Sequence, residues 1–200
     1  MSFQPELSRR SLLRASAAMC LGLLAKDVLA GGATTLNRIK GGPVRKGQIL
    51  TREQMQLLRE LIEVIIPATD TLGAAGTDTH GFIDDQLAHC RDPQESQLFI
   101  SRLDEVAKII KSHWGKEYGA LTGEQRIVTM TALSKGQSPF SSHYIDWFYQ
   151  LKAITVMGYY LSEVGASQEL VYDPVPGGYR SDFKVSDNHG KAFSAAFYSN

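Results

Sequence analysis

The stretch TREQMQLLRELIEVIIP, residues 51–67, carries a clear helix signal in a chain of 200 residues. Its first four residues form a capping box, in which the Thr51 and Gln54 side chains each accept a backbone N–H of the other residue. Apolar residues then recur at helical spacing, at positions 55, 58, 61, 62 and 65. This spacing predicts a helix with one face in a core. Pro67 ends the helix, because proline has no backbone N–H to donate.

Further helices are predicted downstream from their start signals and apolar spacing. An Asp-Pro pair at 92–93 is a cap followed by a proline in the first helical position, and residues 122–125 form a second capping box. The last long helix is dense in aromatic residues. The predicted helices span about residues 82–89, 93–114, 122–134 and 141–161. Residues 51–163 are therefore predicted to be a single all-α domain of about five helices.

The helical period disappears after residue 163, where the chain is rich in Gly, Pro and aromatic residues. Residues 164–200 are predicted to form a long irregular C-terminal arm that is extended but ordered, because disordered segments are poor in aromatics. Rigid aromatic side chains give contact area at low entropy cost, so the arm is suited to wrapping a partner. Trp147 and Tyr160, on the last helix, are either core or interface residues, and core packing is the favoured interpretation.

The N-terminus has the layout of a twin-arginine export signal. A paired arginine motif precedes an eleven-residue apolar segment, too short to span a bilayer, and the sequence VLA at 28–30 offers a cleavage site. The predicted signal covers residues 1–30 and a flexible linker covers 31–50. The alternative is an arginine pair that occurs by chance on an N-terminal helix. The signal indicates a periplasmic protein exported in the folded state, and its defining residues are Ser8, Arg9, Arg10, Leu12 and Leu13.

The composition excludes several classes of function. Basic and acidic residues number 21 each, and without residues 1–30 the chain carries a net charge of −2, so no nucleic-acid partner is predicted. Only Cys90 remains when Cys20 is removed with the signal, which excludes an internal disulfide, four-cysteine clusters and covalent haem attachment. Cys90 is predicted to be a small buried hydrophobe at a helix end; the alternative is a bond to another chain.

No catalytic or cofactor-binding motif is present, and a metal site has only weak candidates. His80 and Asp84 are four residues apart, as are Asp85 and His89, so each pair can share one face of a helix. The alternative is electrostatic: acids near a helix start and a histidine near its end both favour the helix dipole. We therefore predict no catalytic residue, no metal and no cofactor in this chain.

Two stretches resemble the gluconate 2-dehydrogenase subunit 3 family. Residues 65–84, IIPATDTLGAAG running on to HGFID, are similar to the family's "IIP-x-TDT-x-GA…FID" signature. Residues 158–179, with GYY, SE and YDPVPGGY, are similar to its C-terminal "SE-x-G…L-x-Y-x-P-x-PG-x-Y" pattern. Leu72 stands where relatives often have proline, and residues 77–79 are more polar than usual, which bears on loop shape and weakens any assignment of the sugar.

The resemblance implies a non-catalytic small subunit of a periplasmic dehydrogenase complex acting on a sugar or sugar acid. The FAD then lies in a large subunit related to glucose–methanol–choline oxidoreductases. A membrane-bound multihaem cytochrome c takes the electrons and anchors the complex. The small subunit supplies the export signal and supports assembly and stability of its partner. In this interpretation the interface anchors on the arm are Tyr172, Pro174, Pro176 and Tyr179.

Two other functions stay open at this point. A small periplasmic metal- or haem-dependent enzyme would use His80 and His89, and would carry stoichiometric metal or haem. A self-standing helical binding module would be a soluble monomer without a large apolar patch. The subunit interpretation instead predicts an exposed apolar surface formed by the arm and part of the last helix.

Overall fold

The computed structural model describes residues 44, 46–171, 184, 186 and 190–193. This part of the chain is mainly helical, which confirms the predicted all-α class, and it contains five α-helices. Their bounds are α1 Arg52–Ile65, α2 Thr79–His89, α3 Pro93–Trp114, α4 Gly123–Lys135 and α5 Ile145–Leu161. Short 3₁₀ turns at Tyr118–Ala120 and Ser142–Tyr144 precede α4 and α5.

The predicted helix start signals are confirmed in their side-chain geometry. The Thr51 and Thr122 hydroxyls accept the N–H groups of Gln54 and Gln125, and both glutamines return a bond to the cap backbone. The Asp92 carboxylate accepts the Gln94 N–H at 2.8 Å, ahead of the helix that begins at Pro93. These local bonds satisfy N–H groups that a helix leaves without an internal partner.

Helix α2 begins one turn earlier than the sequence predicts. It starts at Thr79 after Asp78, whose φ of 56° places it in the left-handed region. Asp84 and Asp85 therefore lie in the middle of α2 and not in its first turn. The interpretation of these two acids as partners of the helix dipole is wrong, whereas His89 does lie in the last turn, as predicted.

The core lies where α5 contacts α1, α2 and α4. Trp147 is 4% exposed, donates its Nε1–H to the Phe99 carbonyl at 3.1 Å and lies 5.4 Å from the Phe99 ring. This confirms the core interpretation for Trp147, while Tyr160 is half-buried at the edge of the core. Gly158 brings α5 against α2, because a Cβ there would lie 2.5 Å from the Phe82 ring.

Packing of the helical domain extends upstream of Thr51. Leu50 is fully buried and Val44 is 8% exposed, and both belong to the core. The end of the segment assigned to the linker is thus bound to the helices. Residues 46–50 reach α2 through hydrogen bonds described below.

The beginning of the C-terminal arm is folded onto the end of α5. A π-helical turn, Gly165–Glu169, follows α5 and contacts it. Strand β1, Leu170–Val171, then pairs in parallel with β2, Ala192–Phe193, with Leu170 opposite Ala192.

Across the described residues, no helix combines the length and the apolar character needed to cross a membrane.

Candidate functional site

The outward side of α5 carries a row of apolar residues that face solvent, next to exposed polar ones. We call the residues along this side the outer stripe. Tyr149, Met157 and Leu161 are 56%, 42% and 68% exposed. The opposite side of the same helix is buried. The outer stripe consists of Tyr149, Ala153, Val156, Met157, Tyr160 and Leu161, which recur at steps of three, four and one.

An apolar outer stripe is unusual for a surface helix, whose outward face is normally polar. The stripe runs from Tyr149 to Leu161, which is twelve helical steps or about 18 Å at the rise of an α-helix. The exposed polar residues of the same helix, Asp146, Gln150 and Lys152, lie beside or between its members. Covering a large apolar side chain contributes roughly 1.5–3 kcal/mol. A surface of this kind can bind an apolar face of another protein.

The outer stripe ends next to a second feature, the loop between α1 and α2. We call residues 68–73 of this loop the TDT loop, after its Thr69, Asp70 and Thr71. Its base is fixed by Glu63 on α1, whose carboxylate accepts the N–H groups of Ala68 and Ala75, each at 3.0 Å. Gly73 is required there, since a Cβ would come within 2.8 Å of that carboxylate.

The tip of the TDT loop is bonded to the π-helical turn and to α5. The Thr71 hydroxyl donates to the Glu169 carboxylate in the π-helical turn, and Tyr159 on α5 donates to the Leu72 carbonyl at 2.9 Å. Lys191, just before β2, donates to the Gln168 carbonyl. The π-helical turn therefore meets the TDT loop, and Lys191 bonds the same turn.

Two pKa shifts follow from this arrangement. The Thr69 hydroxyl lowers the pKa of Asp70, and the charge of Lys191 adds a smaller effect in the same direction. Burial raises the pKa of Tyr159, and the nearby Glu169 charge also raises it. The smaller contributions of Lys191 and Glu169 reflect how close the TDT loop lies to the π-helical turn and to Lys191.

Asp84, a predicted metal candidate, is used by the protein backbone. Its fully buried carboxylate accepts the Leu50 N–H at 3.0 Å and the Ile49 N–H at 3.3 Å, and it also accepts the Gln48 N–H. Gly47 is necessary beside it, because a Cβ would lie 2.5 Å from the carboxylate. Such a cradle of N–H groups gives the buried carboxylate the hydrogen bonds that a polar group needs in the core. We call these contacts the amide cradle.

The other three metal candidates, unlike Asp84, contact side chains of neighbouring residues. Asp85 and His89 both bond the side chain of Gln48, at the exposed rim of α2. The His80 Nε2 lies 3.5 Å from an Asp78 carboxylate oxygen. Within the described ranges, no three His, Cys, Asp or Glu side chains come together as a metal-binding group.

The prediction that Cys90 is buried is wrong. Cys90 is exposed, with a free thiol, at the C-cap of α2. Its spacing from Ile83 and Leu87 matches the core face of α2, but the helix ends there and the side chain is left in solvent. A residue just past a helix end does not continue the helical period, and sequence spacing cannot assign it a side.

The remaining sequence predictions fall outside the described residues. These are the arm anchors Tyr172, Pro174, Pro176 and Tyr179, and the export-signal residues Ser8, Arg9, Arg10, Leu12 and Leu13.

Conversely, sequence reasoning missed the bond between Thr71 and Glu169. These residues are 98 positions apart, and a lone Thr and Glu carry no local pattern that would pair them.

Comparison with known proteins adds one finding to this geometry. A family model described as gluconate 2-dehydrogenase subunit 3 matches residues 52–177, well over half of the chain. The matched region includes α1 to α5, the TDT loop, the outer stripe and β1. No curated protein and no solved structure matches the chain.

Proposed function

Because the chain belongs to the gluconate 2-dehydrogenase subunit 3 family, we propose that it is the non-catalytic small subunit of a periplasmic sugar or sugar-acid dehydrogenase complex. Its partner is a large subunit of the glucose–methanol–choline type that carries FAD. A membrane-bound multihaem cytochrome c accepts the electrons and places the complex at the membrane. The small chain holds no cofactor in this proposal.

The role of the chain is escort and support. Its twin-arginine signal takes the folded complex to the periplasm, so that a large subunit without a signal crosses together with its flavin. FAD supplies the hydride chemistry, and this chain contributes binding surface, assembly and stability.

The observation that carries the proposal is the outer stripe. The subunit interpretation predicts an exposed apolar surface that includes part of the last helix, and Tyr149, Met157 and Leu161 form such a surface. The stripe also ends at Leu161, directly before the π-helical turn and β1, from which the arm leaves. The stripe and the base of the arm thus share one end of α5, and together they suit a large folded partner.

A metal- or haem-dependent enzyme has less support from the geometry. The oxygens of Asp84 are directed to backbone N–H groups, and Asp85 and His89 share Gln48. Binding of a metal by these side chains would require the amide cradle to open. The helical-module alternative predicts no large apolar patch, which the outer stripe argues against.

The proposal is tested by purifying the C-terminally tagged chain from its native periplasm and membranes. We expect a large chain in equal amount, with a flavin spectrum and sugar or sugar-acid oxidation. A Met157→Glu, Leu161→Glu variant should lose this partner, because two charges would enter the apolar contact. Ile127→Glu on α4 is the matched control, since Ile127 is 60% exposed but lies off the stripe.

Three results would contradict the proposal. A lone chain with stoichiometric metal or haem would move the function to His80 and His89. A lone, colourless chain would support the self-standing module. Loss of the flavin-carrying partner in Ile127→Glu and in the stripe variant alike would show that the stripe is not the docking surface.

A further inference from the structure

We infer that Thr71, Glu169 and Lys191 form a clasp that holds strands β1 and β2 of the C-terminal arm at the TDT loop and so presents the arm to the large subunit. This inference rests on the proposed function. It assigns a role to the TDT residues, which belong to the stretch 65–84 that resembles the family signature. The clasp consists of described residues only, and it is argued from their contacts.

The two strands of the arm lie side by side. Leu170 is paired with Ala192 and Val171 with Phe193. Residues 171 and 192, though far apart in the sequence, therefore lie next to each other in the fold. Lys191 strengthens this pairing from one side, because its ammonium group donates to the Gln168 carbonyl in the turn before β1.

The TDT loop ties this base to the helical core. Thr71 donates to the carboxylate of Glu169, a charge-assisted bond of the stronger kind. The loop itself is rigidly held, because Glu63 on α1 bonds two of its flanking N–H groups and Tyr159 on α5 bonds the Leu72 carbonyl. The base of the arm is thus fixed relative to α1 and α5.

Closure at the base changes the thermodynamics of binding. A free tail loses its conformational freedom when it wraps a partner, and that loss subtracts from affinity. In a loop closed at its base, part of this freedom is already removed. The clasp therefore acts as a set of positioning residues: it raises the affinity of the arm for the large subunit without contacting that subunit.

The decisive variant is Thr71→Val, which removes the hydroxyl and keeps the branched shape. Thr69→Val is the matched control, because the Thr69 hydroxyl bonds only Asp70 of its own loop in the described structure. Hydrogen exchange measured by mass spectrometry on the purified chain reports the opening of β1 and β2. Binding of the purified flavin-carrying large subunit to the same variants reports the effect on affinity.

We expect Thr71→Val to speed amide exchange at residues 170–171 and 192–193 by about tenfold, the effect of losing one bond to a charged group. Its affinity for the large subunit should fall several-fold, and Thr69→Val should change neither quantity. Glu169→Gln should act in the same direction as Thr71→Val, with a smaller effect because a neutral acceptor remains.

Unchanged exchange in Thr71→Val would overturn the clasp. Faster exchange with undiminished affinity would also overturn it, since the base would then have no role in presenting the arm. Failure of the proposed function is distinguishable: a chain that purifies without any flavin subunit would still show the exchange difference between Thr71→Val and Thr69→Val.

Discussion

The carboxylate of Asp84 accepts the backbone N–H of Leu50 at 3.0 Å, a contact between residues 34 positions apart. It joins the middle of α2 to the segment that leads into α1. Because the carboxylate also accepts the Gln48 and Ile49 N–H groups, one buried charge satisfies three consecutive backbone donors. The acid of the family-like "FID" motif is therefore a structural residue.

Replacing Asp84 by Asn should lower the free energy of unfolding by about 2–3 kcal/mol, since bonds to a charged group are lost and the amide NH₂ faces backbone donors. Urea denaturation followed by circular dichroism measures this difference. Asp85→Asn, at the exposed rim, should cost less than about 1 kcal/mol. Equal effects of the two changes would show that the amide cradle does not stabilise the fold.

Two buried tyrosines should respond in opposite ways to removal of the hydroxyl group. Tyr118 is 2% exposed, and its hydroxyl finds no hydrogen-bond partner among the described residues. Tyr118→Phe should therefore raise the free energy of unfolding by about 1 kcal/mol, while Arg126 keeps its place over the ring. Tyr159→Phe should lower it by a similar amount, because the bond to the Leu72 carbonyl is lost.

The buried Tyr118 also predicts a loss of stability at alkaline pH. Burial raises the pKa of Tyr118 above its ordinary value of 10.0. The folded chain thus retains a proton that the unfolded chain releases, and stability falls as the pH rises above that ordinary value. Thermal unfolding between pH 8 and about pH 11 should show a smaller decline for Tyr118→Phe than for the native chain; identical declines would contradict this assignment.

Gly158→Ala should destabilise the contact between α5 and α2. The new Cβ would lie 2.5 Å from the Phe82 ring, and overpacking of this kind costs about 1–3 kcal/mol. Gly123→Ala, at the start of α4 with open space around it, is the matched control and should be neutral or slightly stabilising. Thermal melts of both variants check this, and a second change, Phe82→Leu, should restore part of the loss.

Stability at acid pH should depend on Glu105. Its bonds with Arg102 and, secondly, with the Tyr144 hydroxyl lower the pKa of its carboxyl below the ordinary value of 4.5. The contribution is present above 4.5 and is lost as the pH falls through the lower folded-state pKa. Melting temperatures of Glu105→Gln should accordingly vary less than those of the native chain over this acid range. A native-like acid dependence in the variant would exclude this network as its source.

The arm anchors predicted from the sequence allow a direct test of the interface. A Tyr172→Ala, Tyr179→Ala double variant should weaken capture of the flavin-carrying subunit, because two rigid aromatic contacts are removed. Its far-ultraviolet circular dichroism should equal that of the native chain. Undiminished capture would remove these residues from the interface and leave the outer stripe as the docking surface.

The structure shows which features a sequence can predict. Each capping box, at Thr51 and at Thr122, involves two residues three positions apart. Such a short-range pattern is visible in the sequence, so both boxes could be predicted. The amide cradle could not be predicted, because its donors are backbone N–H groups that every non-proline residue has. Asp78 has a left-handed backbone conformation, and α2 begins directly after it, one turn before the predicted start. Because of this earlier start, Asp84 lies in the middle of the helix and not in its first turn.

Helix α5 is apolar on its inner face and along its outer stripe. This affects how much of the chain the cell can make relative to its partner. When the small chain is made in excess, the stripes of two copies are the surfaces best matched to each other, and self-association competes with partner binding by mass action. We therefore expect the solubility of the chain to depend on the ratio in which the two subunits are synthesised. Under the proposed function, matched synthesis of the two subunits would keep the outer stripe covered.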